Sequence, residues 1–130
     1  MDEAGRKRLT AFLAECADLL LPHLDEPNVT VATRGIDDDT PLHLAALRGD
    51  TETISLLIEA GAEIDAKGDL SVTPLYQAVM EGHAQAAALL LAAGADPDAM
   101  NELDATPRQR ATRGGDPALT RLFDGGNADG

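Results

Sequence analysis

Three Thr-Pro pairs, beginning at Thr40, Thr73 and Thr106, recur every 33 residues, and this spacing limits the possible folds more than any other feature of the chain. Other residues keep the same step: Ala45, Ala78 and Ala111; Gly49, Gly82 and Gly115; Leu57, Leu90 and Phe123; Gly61 and Gly94. A fixed period of this length means one supersecondary unit copied along the chain, each copy hiding its apolar face only by stacking on its neighbours. Thr-Pro itself reads as a helix start. The hydroxyl accepts from free N–H groups of the first turn, and proline at the first helical position lacks only a donor that would have no partner there. Leu42, Ala45 and Ala46 then line one face, as do Leu75, Ala78 and Val79 in the next copy. Gly49 and Gly82 close this helix with a residue free to take positive φ. Asp50 caps a second helix from Thr51 to Ala60, and Asp116-Pro117 repeats that cap with a proline behind it. The second helix carries the heavier residues, Ile54, Leu57 and Ile58, then Ala87, Leu90 and Leu91, and stops at Gly61 or Gly94.

The strings Thr40-Pro41-Leu42-His43-Leu44-Ala45-Ala46 and Thr73-Pro74-Leu75-Tyr76-Gln77-Ala78-Val79 resemble the opening of an ankyrin repeat. The tails Leu56-Leu57-Ile58-Glu59-Ala60-Gly61-Ala62 and Leu89-Leu90-Leu91-Ala92-Ala93-Gly94-Ala95 complete the likeness, which covers residues 40 to about 123. The resemblance implies an all-α ankyrin-repeat solenoid of stacked helix-turn-helix units with extended, β-hairpin-like fingers. On this reading residues 1–36 form an N-terminal capping helix and first finger, 37–72 and 73–105 are full repeats, 106–123 is a C-terminal capping repeat, and 124–130 is a disordered tail. Arg108 and Arg110 stand where the first full repeat has Leu42 and Leu44, giving the last unit a polar outer face. In the N-terminal segment Leu9, Phe12, Leu13, Cys16, Leu19 and Leu20 follow helical spacing, which predicts one helix over roughly 4–21. Pro22 ends it, and Asn28 falls where the later units have Gly61 and Gly94.

Composition excludes several function classes. Only Phe12, Tyr76 and Phe123 are aromatic, so the core is built from alanine and leucine, which suits closely stacked helices. Cys16 is alone and lies on an apolar helix face, where a cysteine acts as core filler and no intrachain disulfide forms. No run approaches the ~20 apolar residues needed to span a bilayer, and no signal peptide is visible, so the expected location is the cytoplasm. The alanine- and glycine-rich composition also hints at a bacterial source. Residues 37–105 hold fourteen acids against two bases, Arg48 and Lys67, within a chain of net charge −13. Such a field repels nucleic-acid phosphates and anionic lipid headgroups, which leaves another protein, in particular a basic one, as the expected partner of a monomer.

The resemblance places partner contacts at the finger tips and on the inner face of the first helices. By offset from each threonine these are Ile36, Asp37 and Asp39, then Asp69, Leu70 and Val72, then Glu102 and Leu103. On the helices they are Leu47, Arg48, Met80, Glu81 and Arg113. Leu47, Met80, Leu70 and Leu103 form an apolar stripe edged by acids, the pattern of a protein-binding surface. Two further readings compete with a plain adaptor or inhibitor. One is an acidic antidote for a basic enzyme such as a nuclease toxin; the other is a divalent-ion-regulated module using Asp37–Asp39 and Asp96–Asp98. Against the latter, Met100 stands where a calcium loop needs its third oxygen ligand, and no glycine follows. Catalysis has little support. His43, whose equivalents are Tyr76 and Gln109, sits where the family has a histidine that ties the turn together; His83 opens a helix, and His23 has no cysteine or second histidine near it in sequence. The three histidines share no metal-ligand spacing, and no cofactor, phosphate loop or nucleophile elbow is expected.

Overall fold

The computed structural model describes residues 1–21, 29–35 and 37–128. Pro22, His23, Asn28, Ile36, Asp129 and Gly130 lie outside them, so the expectations resting on those residues are not described further. Among the described residues seven α-helices follow in order: α1 (Glu3–Leu20), α2 (Pro41–Arg48), α3 (Thr51–Glu59), α4 (Pro74–Met80), α5 (Ala84–Ala92), α6 (Pro107–Gly114) and α7 (Pro117–Ala128). Each boundary has a local cause. The Oγ1 of Thr40, Thr73 and Thr106 accepts from the N–H three residues on, at 3.4, 3.3 and 3.1 Å. Asp50 does the same for Thr53 at 3.2 Å, and Gly49, Gly61, Gly82, Gly94 and Gly115 all have positive φ. These five glycines follow the helix ends predicted from the period.

The helices sort into two rows. The first helices of successive units, α2, α4 and α6, pack on one another, and the second helices, α3, α5 and α7, do likewise; each unit's pair, α2·α3, α4·α5 and α6·α7, joins the rows. Leu42, Ala45, Leu75 and Ala78 in the first row and Ile54, Leu57, Ala87 and Leu90 in the second are fully buried. Alanine at 45, 78 and 111 leaves room for that close approach.

α1 packs mainly on α3 and only slightly on α2. It buries Phe12, Cys16 and Leu20 against the stack. The polar ties are Arg8 to Asp50 at 3.2 Å and Arg48 to Glu15 at 2.7 Å, with the Arg48 guanidinium also 5.8 Å from the centre of the Phe12 ring. Burial pushes the Cys16 thiol up to about 12, so it is protonated filler. At the other end Arg108 bonds the Asp98 carboxylate with Nε and Nη2 at 2.8 and 3.2 Å and donates from Nη1 to the Phe123 carbonyl at 3.1 Å. It thus ties the finger before it to α7. Beyond Phe123, where the sequence suggests the end of ordered structure, α7 continues as helix to Ala128.

Candidate functional site

Between the helical units the chain returns through three fingers, and no β-strand occurs in them among the described residues. Each tip is a tight turn closed at its base by a backbone bond, Gly35 N–H to Asp39 O (2.8 Å), Gly68 N–H to Val72 O (2.9 Å) and Asn101 N–H to Ala105 O (3.1 Å), with a second inside it, from the N–H of Asp38, Ser71 or Asp104 to the carbonyl of Gly35, Gly68 or Asn101. Asp38, Ser71 and Asp104, one repeat apart, all take positive φ and fold the chain back at once. Where the resemblance suggests a hairpin-like ladder, the described fingers show these short turns.

The fingers are bonded to one another. Arg34 donates to the Lys67 carbonyl at 2.8 Å, and the Asp69 N–H donates to Asp39 Oδ1 at 3.0 Å. From the third finger the Glu102 N–H donates to the Leu70 carbonyl at 2.9 Å, and Ser71 Oγ donates to Glu102 Oε2 at 3.1 Å. Below them His43 joins α2 to the second finger. The Thr40 N–H donates to its Nδ1 at 3.1 Å, and its Nε2–H donates to the Val72 carbonyl at 2.7 Å, which sets the neutral tautomer. Gly68 lies against this histidine. A Cβ there would stand 2.1 Å from Asp39 Oδ1 and 2.9 Å from His43 Nε2. Gly68→Ala therefore displaces Asp39 from the Asp69 N–H and is expected to cost about 1–3 kcal/mol in a urea or thermal melt. A variant as stable as the parent would contradict this packing.

A cleft of about 520 Å³ opens among the tips, lined by Asp37, Asp38, Asp69, Leu70, Ser71 and Glu102 with Lys67 and Gly68. Leu70 is 46 % exposed, Leu103 53 %, Leu47 39 % and Met80 38 %. Asp37, Asp69, Glu81, Glu102 and Arg113 are exposed as well. One residue differs from the surface expected of it. Val72 is buried with Tyr76 and Ala105, because its carbonyl must meet His43 and its side chain turns inward beneath the tip. Arg48 is exposed as expected, but its guanidinium is held by Glu15 and lies over Phe12. Asp39, though near the tip, spends one oxygen on the Asp69 N–H. The sequence reading missed Asp38 and Ser71 as cleft residues; their 33-residue spacing with Asp104 was the available signal.

The geometry is thus a repeated unit with paired helices, glycine ends and short bonded fingers. A family model for ankyrin repeats, in three copies, matches residues 10–101. The chain belongs to the ankyrin repeat family. The match begins within α1 and ends in the third finger, so the ankyrin pattern reaches back into the N-terminal helix and stops short of α6. No curated protein matches the sequence closely enough to count as a relative. Ankyrin repeats generally mediate protein–protein interactions and are generally non-catalytic. Among the described residues no helix is long and apolar enough to cross a membrane, and no three metal-ligating side chains gather. The Asp98 carboxylate is engaged by Arg108, which holds it below its ordinary pKa.

Proposed function

We propose that this ankyrin protein is a non-catalytic interaction module, an adaptor or inhibitor, that holds a protein partner on the face of α2 and α4 and on the finger tips. Leu47, Met80, Leu70 and Leu103 serve as apolar anchors. Asp37, Asp69, Glu81 and Glu102 orient the partner, with Asp39 and Arg113 at the margin. The single observation that carries this reading is that four large apolar side chains stand exposed at repeat-related positions, in two pairs 33 residues apart, among acids. A contiguous apolar surface with a polar rim is what protein interfaces present. Because these side chains sit on packed helices and bonded turns, little ordering is needed on binding.

The test is capture from a lysate of the cells that make the protein, comparing the native bait with Leu47→Glu combined with Met80→Lys. Both positions are exposed, so the fold is retained, as circular dichroism can check. A partner held by the native bait and lost by the variant supports the reading. Equal retention by both baits contradicts it. The acidic antidote reading is favoured by the charge: fourteen acids to two bases across residues 37–105. Steering of this kind weakens steeply with salt, so it requires an association rate that falls between low and physiological ionic strength.

A further inference from the structure

The second finger holds a conformation that its neighbours lack. Positions 38, 71 and 104 are left-handed in all three fingers, but only in the second is the preceding residue left-handed too: Leu70, at φ 57° and ψ 24°. The matching residues, Asp37 and Leu103, do not share it. A leucine is disfavoured there because its Cβ crowds the following carbonyl oxygen. Such strain persists where the surroundings over-determine it. Here they do: the Leu70 carbonyl accepts from Glu102 N–H, Ser71 N–H donates to the Gly68 carbonyl, and Asp69 N–H is held by Asp39. Yet the strained side chain contributes little to the core. It stands 46 % exposed on the wall of the tip cleft; its counterpart one repeat on, Leu103, is 53 % exposed and follows the cleft residue Glu102.

We infer that Leu70 is a preset anchor and that the tip cleft takes a basic peptide segment of the partner. One apolar side chain of that segment lies against Leu70 and Leu103, and flanking lysines or arginines meet the carboxylates of Asp37, Asp38, Asp69 and Glu102. This rests on the interaction reading above and adds the chemistry of the partner. Charge complementarity selects that occupant: four carboxylates line the cleft against the single ammonium of Lys67. An acidic or neutral segment would gain the apolar contact but none of the charge-assisted bonds. Holding Leu70 outward before encounter removes an ordering cost from binding.

Two labelled peptides serve as probes for the full chain: a short run of alternating arginine and leucine flanked by glycines, and its twin with serine in place of leucine. Fluorescence anisotropy is expected to show the leucine peptide binding about tenfold more tightly than the twin. Leu70→Ser is expected to weaken it about five- to tenfold, the scale of losing one anchor. Equal affinity of the two peptides, no binding of either, or native affinity in Leu70→Ser would each overturn the inference. Strain is read separately. Leu70→Gly is expected to hold Tm or raise it by up to about 4 °C, whereas Leu103→Gly lowers it, because only the former relieves a left-handed leucine. An equal fall in both would remove the strained anchor. If the leucine peptide fails while a cellular partner is still lost through Leu47→Glu and Met80→Lys, this inference falls and the interaction reading stands. If the peptide binds as expected and both baits retain the partner, the face of α2 and α4 falls as the binding surface and the tip cleft stands.

Discussion

Leu57→Ala and Leu90→Ala are each expected to lose about 2–5 kcal/mol and to unfold most of the chain at temperatures where the parent is folded. Both side chains are completely buried. Leu57 lies in α3, which packs on α1 and α5, and Leu90 in α5, which packs on α3 and α7. Each truncation therefore opens a cavity in the row of second helices, inside the single buried cluster that Leu57 and Leu90 share with both flanking helices. In a stack each unit leans only on those beside it, so with few interfaces one cavity takes a large share of the total stability. Urea denaturation followed by circular dichroism measures the loss. A change below about 1 kcal/mol at both sites would mean that the repeat register assigned here is wrong.

His43→Ala is expected to cost about 2–4 kcal/mol, because one side chain does three things. Its Nδ1 accepts from the Thr40 N–H, its Nε2–H satisfies the Val72 carbonyl, and its ring fills space beneath Gly68. His43→Gln is expected to cost less. Gln109 shows why: its Oε1 accepts from the Thr106 N–H at 3.1 Å, so a glutamine keeps the capping arrangement while losing the bond to the second finger. The histidine also gives the fold a pH dependence. Burial lowers its pKa below the ordinary 6.5, outweighing the hydrogen bond to the Val72 carbonyl and the nearby Asp39 carboxylate, which favour the charged form. In the unfolded chain the imidazole takes its proton near 6.5; in the folded chain it resists until lower pH. The unfolded state thus binds more protons in between, and stability that is whole above about pH 6.5 declines as pH falls below it. Thermal melts between pH 7.5 and 5 are expected to show this decline in the parent and a shallower one in His43→Gln. Identical slopes would show that His43 does not titrate with folding.

Much of this was legible in the sequence because the repeat states each local rule more than once. The threonine caps, the proline starts, the five positive-φ glycines and the buried leucines of the second helices follow from position in the period. The exposed stripe was legible by the same offsets: Leu47, Met80, Leu70 and Leu103 stand where the repeat faces outward. Val72 misled for a physical reason. Its offset counts it as part of the finger, but the turn closes at its own carbonyl, and a residue at the base of a turn points back into the stack. The partners of Arg48 had no such signal, because α1, whose docking cannot be read from the repeat period, supplies Glu15 and Phe12. The left-handed Leu70 had no signal at all, since its conformation is imposed by bonds from Asp39 and Glu102 on the adjoining fingers.

The most direct measurement is photo-crosslinking in the cells that make the protein, with a photoreactive phenylalanine analogue replacing Leu70, Met80 or Leu103 in turn. Parallel positions at Ser55 and Ala92, exposed on α3 and α5, serve as the opposite surface. The expected result is one protein crosslinked from positions 70, 80 and 103 and from neither of the other two. Crosslinks to a common protein from positions 55 and 92 alone would place its binding on the second-helix row and contradict the assignment of the finger tips and first helices as the binding surface.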